Sequence, residues 1–137
     1  MINNKSILAV ITARGGSKRL PRKNLKNFLG KSFLEKTIEC ASSSRYIDRI
    51  ILSSEDEEII QKAKDINCEV PFIRPASLAS DTATNCEVLI HAINSISESY
   101  DYILLLEPVS PFRKTSDIDG TIKQCISNNA SACISVA

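Results

Sequence analysis

The chain has 137 residues, of which 43% are apolar and 24% charged, with a formal net charge of +1 and no tryptophan. That size and apolar content suit one domain with a real core and argue against disorder. The near-neutral balance hides an asymmetry, because Lys5, Arg14, Lys18, Arg19, Arg22, Lys23, Lys26 and Lys31 all precede the first acid, Glu35.

The first predicted element is a strand over Ser6 to Ala13, an apolar run of about eight residues, too short to span a bilayer and without a signal-peptide layout. The expectation is a soluble, cytoplasmic protein with no membrane partner. After it comes Ala13-Arg14-Gly15-Gly16-Ser17-Lys18-Arg19-Leu20-Pro21-Arg22-Lys23-Asn24, a loop with five basic side chains and no acid. Glycines let main-chain N–H groups close on phosphate oxygens, and Lys and Arg add point charge and a bidentate fork. The spacing is neither a Walker A motif nor a dinucleotide fingerprint, and a solvated basic turn is the bland alternative. Nucleic acid is not the expected partner, since the basic charge sits in one loop without interleaved aromatic residues for stacking. A compact polyanion fits better.

Three helices are predicted from Ser/Thr-x-x-Glu capping boxes: Ser32 with Glu35 opening a helix to about Ser43, Ser54 with Glu57, and Thr84 with Glu87. Their apolar stripes are Leu34, Ile38 and Ala41; Ile59, Ala63 and Ile66; and Leu89, Ala92, Ile93 and Ile96. A fourth helix from about Ser116 to Ser127 presents Ile118, Ile122 and Cys125. Between them lie short apolar runs at Arg49 to Ser53, Glu69 to Ile73, Tyr102 to Leu106 and Ala132 to Val136. Runs without strict alternation indicate strands covered on both faces, so the fold class is doubly wound α/β with a parallel sheet. A last strand with no helix after it leads to the expectation that the fold continues past Ala137. Cys40, Cys68, Cys86, Cys125 and Cys133 are odd in number and lack C-x-x-C spacing, which predicts reduced thiols rather than disulfides or zinc.

In sheets of this class ligands sit outside the carboxyl ends of the strands. Three unusual loops fall there: the basic loop, Arg74 to Ala83, and Leu106 to Arg113. Arg74 reads either as a contact to base or phosphate or as an exposed arginine pairing with Asp81. Glu107, held by Pro108 and Pro111, reads either as an acceptor for a ribose hydroxyl, an exocyclic amine or a cation, or as a surface acid. His91 has no second ligand or orienting acid at a useful spacing and reads as structural.

At these loops the chain resembles the N-terminal part of the acylneuraminate cytidylyltransferase family, the CMP-sialic acid synthetases and their relatives. The matching residues are Ala13-Arg14, Gly16-Ser17-Lys18 and Lys23-Asn24; the Arg-Pro-x-x-Leu-Ala-x-Asp segment from Arg74 to Asp81; and the segment Leu105 to Arg113 with its Pro-x-Ser-Pro-x-Arg ending. The resemblance implies a three-layer, Rossmann-like nucleotidyltransferase sheet, mostly parallel, of which residues 1–137 form the nucleotide-binding part. It implies transfer of CMP from CTP to the anomeric hydroxyl of a 2-keto sugar acid with release of pyrophosphate, and leaves homodimerisation open. Arg14 and Lys23 would be catalytic, offsetting charge on the departing pyrophosphate. Gly15, Gly16, Ser17 and Lys18 would hold the triphosphate with Arg14, and Thr12, Ala13, Asn24, Arg74, Asn85 and Glu107 would line the nucleotide pocket. Mg²⁺ is the implied cofactor, its ligands expected beyond Ala137, with Asp117 and Asp119 poor substitutes. Many synthetases carry Gln and Thr where this chain has Glu107 and Val109. The rival reading is a non-catalytic nucleotide-binding or regulatory module that has lost its metal site.

Overall fold

β1 (Ile7–Thr12) has Ile7 to Ile11 buried without a break, and the two faces of the strand meet different layers. Ile7, Ala9, Ile11 and Ala13 join one apolar cluster with residues of α1 (Phe33–Ser42), α2 (Glu57–Asp65) and α4 (Thr115–Ser127). Leu8 and Val10 join a second cluster with Ile51 and with Ala92 of α3 (Asn85–Ser95). A strand covered on both sides has no solvent face to mark with polar residues, which is why its sequence does not alternate. The fold is seen in a computed structural model and is described for residues 1–14, 27–28, 31–80, 82–108 and 114–128.

β1 lies between β4 (Arg49–Ser53) and β5 (Tyr102–Leu106), parallel to both, with Val10 paired to Ile51 on one side and to Leu105 on the other. Two short strands, β2 (Asn27–Phe28) and β3 (Lys31–Ser32), pair antiparallel just before α1. With helices on both faces of a parallel sheet, the doubly wound α/β class holds.

The run Glu69 to Ile73 is not a strand. Its contact with the sheet is one parallel bridge, Ile51 with Glu69, where the Leu52 amide donates to the Glu69 carbonyl at 2.9 Å. Pro71 has no N–H to continue a ladder, so pairing lapses until the Arg74 amide reaches the Ser54 carbonyl at 2.9 Å. The predicted strand Ala132 to Val136 lies outside the described residues.

Two helix details also differ from expectation. α2 is capped by Asp56, whose carboxylate accepts from the Glu58 and Ile59 amides, both at 3.0 Å. Ser54 sits further back, fully buried, and its hydroxyl accepts from the Asp56 amide at 3.2 Å. An acid one residue before the helix thus outcompeted the expected serine. In α3 the Thr84–Glu87 capping box forms, yet Val88 and Ala92 are its buried pair while Ile93 is exposed. Of the predicted stripe, Leu89, Ala92 and Ile96 do pack into the second cluster, and Ile93 alone does not. α1 follows its predicted cap and stripe, with Ser32 accepting from the Glu35 amide at 3.1 Å and Leu34, Ile38 and Ala41 buried. Among the described residues no helix is long and apolar enough to cross a membrane.

Candidate active site

All three parallel strands end at one rim, and the site is assembled from the segments that leave them there. Thr12 closes β1 opposite Ser53, the last residue of β4. The next residue, Ala13, is buried, and its amide donates to the Ser53 carbonyl at 3.1 Å, so the chain is held to the sheet until the point where Arg14 leaves it. Arg14 is half-buried. On the other side of β1, Leu106 pairs with Ile11, which brings Glu107 to the level of Thr12, half-buried and followed by a buried Pro108.

Arg74 is only 5% exposed, which removes the reading of a surface arginine. Its Nε donates to the Ser53 hydroxyl at 2.9 Å, its Nη2 to the Ser53 carbonyl at 2.6 Å and its Nη1 to the Leu78 carbonyl at 3.4 Å. Burial lowers the pKa of this guanidinium from the ordinary arginine value; the charge of Glu55 works the other way, and the nearby Arg14 cation adds to the lowering. Arginine stays protonated under such pressure, so two segments each bring a cation to this rim. Like charges brought together at a strand end make a surface that favours an anion.

Asn85 is exposed as the first residue of α3, beside the Thr84 cap where free amides favour anions. Gly15, Gly16, Ser17, Lys18, Lys23 and Asn24 lie outside the described residues, as does Asp81. The structure therefore brings Thr12, Ala13, Arg14, Arg74 and Glu107 to the ends of neighbouring strands. His91 is not among them: it packs edge-on against Phe72 at 5.0 Å between ring centres, on α3. Ser53 escaped the sequence reading because it is the last residue of a predicted strand, and nothing local marks it as the partner of an arginine 21 residues away.

Among the described residues, no group of three or more His, Cys, Asp or Glu side chains is placed to hold a metal ion. Asp117 is occupied in accepting from the Lys114 amide at 3.1 Å, and Asp119 in accepting from the Ser44 hydroxyl and the Arg45 amide. The described donor set does not fit a divalent cation.

The sequence model of the family described as Cytidylyltransferase matches residues 8–136. The chain belongs to this family. Pseudaminic acid cytidylyltransferase of Campylobacter jejuni is 37% identical to it over 126 residues, which is 90% of this chain and 54% of that relative. N-acylneuraminate cytidylyltransferase of Escherichia coli is 36% identical over 117 residues, 85% of this chain and 27% of that relative. A solved structure of CMP:2-keto-3-deoxy-manno-octonic acid synthetase complexed with CTP superposes with a TM-score of 0.77 over 91% of this chain and 49% of its own, at 20% identity, and so shares the fold. The chain spans about half the length of the first of these cytidylyltransferases and less of the second.

Proposed function

We propose that this cytidylyltransferase chain binds CTP at the carboxyl rim of its sheet and transfers CMP to the anomeric hydroxyl of a 2-keto sugar acid of the sialic-acid type. The observation that carries the reading is that the Ala13 amide, just before Arg14, and the buried Arg74 guanidinium both donate to the Ser53 carbonyl, bringing two basic segments to the strand ends of a chain whose relatives are cytidylyltransferases.

In the reaction the anomeric oxygen attacks the α-phosphorus of CTP. A bond forms between the anomeric oxygen and the α-phosphorus, the bond from that phosphorus to the α–β bridging oxygen breaks, pyrophosphate leaves with the bond electrons, and the hydroxyl proton passes to solvent. Most of the work in such a step is positioning and electrostatics. Arg14 and Lys23 offset the charge that grows on pyrophosphate, while Gly15, Gly16, Ser17 and Lys18 grip the triphosphate. Thr12, Ala13, Asn24, Arg74, Asn85 and Glu107 line the nucleoside end. The acceptor Glu107, where a Gln would offer an amide N–H, suits a base or ribose group that donates. Mg²⁺, with ligands outside the described residues, a cytoplasmic location and a homodimeric assembly go with this reading.

Calorimetric titration with CTP, UTP, ATP and GTP, followed by pyrophosphate release on addition of a panel of 2-keto sugar acids, tests it. CTP is expected to bind in preference to the others and one acid to trigger release. Binding without base preference overturns the cytidine assignment. CTP binding without release for any acid favours the nucleotide-binding module over the transferase.

A further inference from the structure

Ser53 lies in none of the three rim loops, yet two of them are tied to it, through the Ala13 amide and the Arg74 side chain. It is fully buried at the end of β4. Its carbonyl accepts from the Ala13 amide and from Arg74 Nη2, at 3.1 and 2.6 Å, which uses both lone pairs of that oxygen. Its hydroxyl accepts from Arg74 Nε at 2.9 Å. The remaining side-chain bond of Arg74 goes to the Leu78 carbonyl and its amide to the Ser54 carbonyl.

A guanidinium is a rigid planar fork. With Nε on the hydroxyl and Nη2 on the carbonyl of one residue, its plane is set relative to the end of β4, and the segment that carries it is set as well. The same carbonyl sets the last sheet-bound amide before Arg14. The distance between the buried Arg74 charge and the base of Arg14 therefore runs through a single serine.

We propose that Ser53 is a positioning residue of the nucleotide site: by holding Arg74 and the Ala13 amide together, it determines where Arg14 meets the triphosphate. This rests on the function proposed above. Ser53 touches no substrate; it acts through Arg14, and small displacements of a charged group at a phosphate are costly.

The test is CTP affinity by calorimetry for the chain and for Ser53→Ala, Ser53→Thr, Arg74→Lys, Arg14→Ala and the Ser53→Ala/Arg14→Ala double variant, each shown by circular dichroism to be folded at the titration temperature. Ser53→Ala is expected to lose about tenfold in affinity, the scale of a hydrogen bond to a charged group. Ser53→Thr, which keeps the hydroxyl, restores part of that loss, and Arg74→Lys, which keeps the charge without the fork, behaves like Ser53→Ala. In the Arg14→Ala background Ser53→Ala adds little, since its effect passes through Arg14. A merely structural serine would lower the melting temperature without this non-additivity. Unchanged affinity in Ser53→Ala, or a loss that adds in full to that of Arg14→Ala, overturns the proposal. Should Ser53→Ala not fold, Ser53→Cys with and without Arg14→Ala gives the same comparison. Failure of the unaltered chain to bind CTP overturns the proposed function and this inference with it, and is distinguishable because it needs no variant.

Discussion

Arg74 donates through Nη2 to the main-chain oxygen of Ser53 at 2.6 Å, placing an arginine charge inside the rim rather than on it. Its side-chain bonds to Ser53 and Leu78 make its removal a matter of stability as well as of ligand binding. Arg74→Met strips partners from two buried oxygens of Ser53, and is expected to cost about 2 kcal/mol, the order measured for hydrogen bonds to charged groups. Urea unfolding of the variant beside the unaltered chain checks this.

Arg14 is half-buried at the rim, where the chain leaves the sheet, and the stability of Arg14→Ala is the baseline against which its binding is read. CTP affinity should fall by about tenfold or more and become less sensitive to salt, because a direct phosphate contact has been lost. Titrations at two ionic strengths, paired with thermal unfolding, separate the two effects.

The helix caps give a third check. Thr84→Ala breaks a reciprocal capping box and Asp56→Ala removes an acceptor from two amides, so each is expected to cost about 1 kcal/mol. Glu57→Ala should be near neutral, since Ser54 is not the cap of α2. Thermal unfolding of the three variants distinguishes the observed cap from the expected one.

Cysteine reactivity should follow burial. Cys68 is buried, and burial first, with the charge of Glu69 second, pushes its thiol up to about 11, whereas Cys86 is exposed at the start of α3. At pH 8 a thiol-alkylating reagent is expected to modify Cys86 well before Cys68, since the thiolate is the reacting form. Peptide mass spectrometry over a time course reads the order.

Asp101 ties the strand ends at the opposite rim, accepting from the Ser6 amide at 2.8 Å and the Ser6 hydroxyl at 3.1 Å. The amide bond, then the hydroxyl bond, hold its carboxyl below the usual aspartate value. A carboxylate depressed in the folded state stabilises above its unfolded pKa, and that contribution is lost as pH falls through the folded value. Asp101→Asn should therefore be less stable than the unaltered chain near neutrality, with the gap narrowing as the pH drops below the ordinary aspartate range. Chemical unfolding across an acid series follows the gap.

Much of the frame was readable from local pattern. The unbroken apolar run Ile7 to Ile11, the caps at Ser32 and Thr84 and the stripe Leu34, Ile38 and Ala41 are short-range features whose physics is contained in a few neighbouring residues. Errors arose where pairing with a distant segment decided the outcome. Glu69 to Ile73 has a strand's composition, but Pro71 denies it a ladder. Ser54 and Asp56 both satisfy the cap rule, and the burial of Ser54 in the sheet's end decided between them. Ile93 fits the apolar stripe of α3 by spacing, yet it stays exposed while Leu89, Ala92 and Ile96 meet the second cluster.

By itself the order of residues determined the layered α/β class, the four helices and the concentration of positive charge after the first strand, because periodicity, capping and charge are written locally. Only the tertiary structure decided that Arg74 is buried rather than exposed, that Ser53 receives both its guanidinium and the Ala13 amide, and that Arg14 leaves the sheet next to that amide. Those relations depend on which strands become neighbours, and a strand's neighbour is chosen by the packing of the whole sheet.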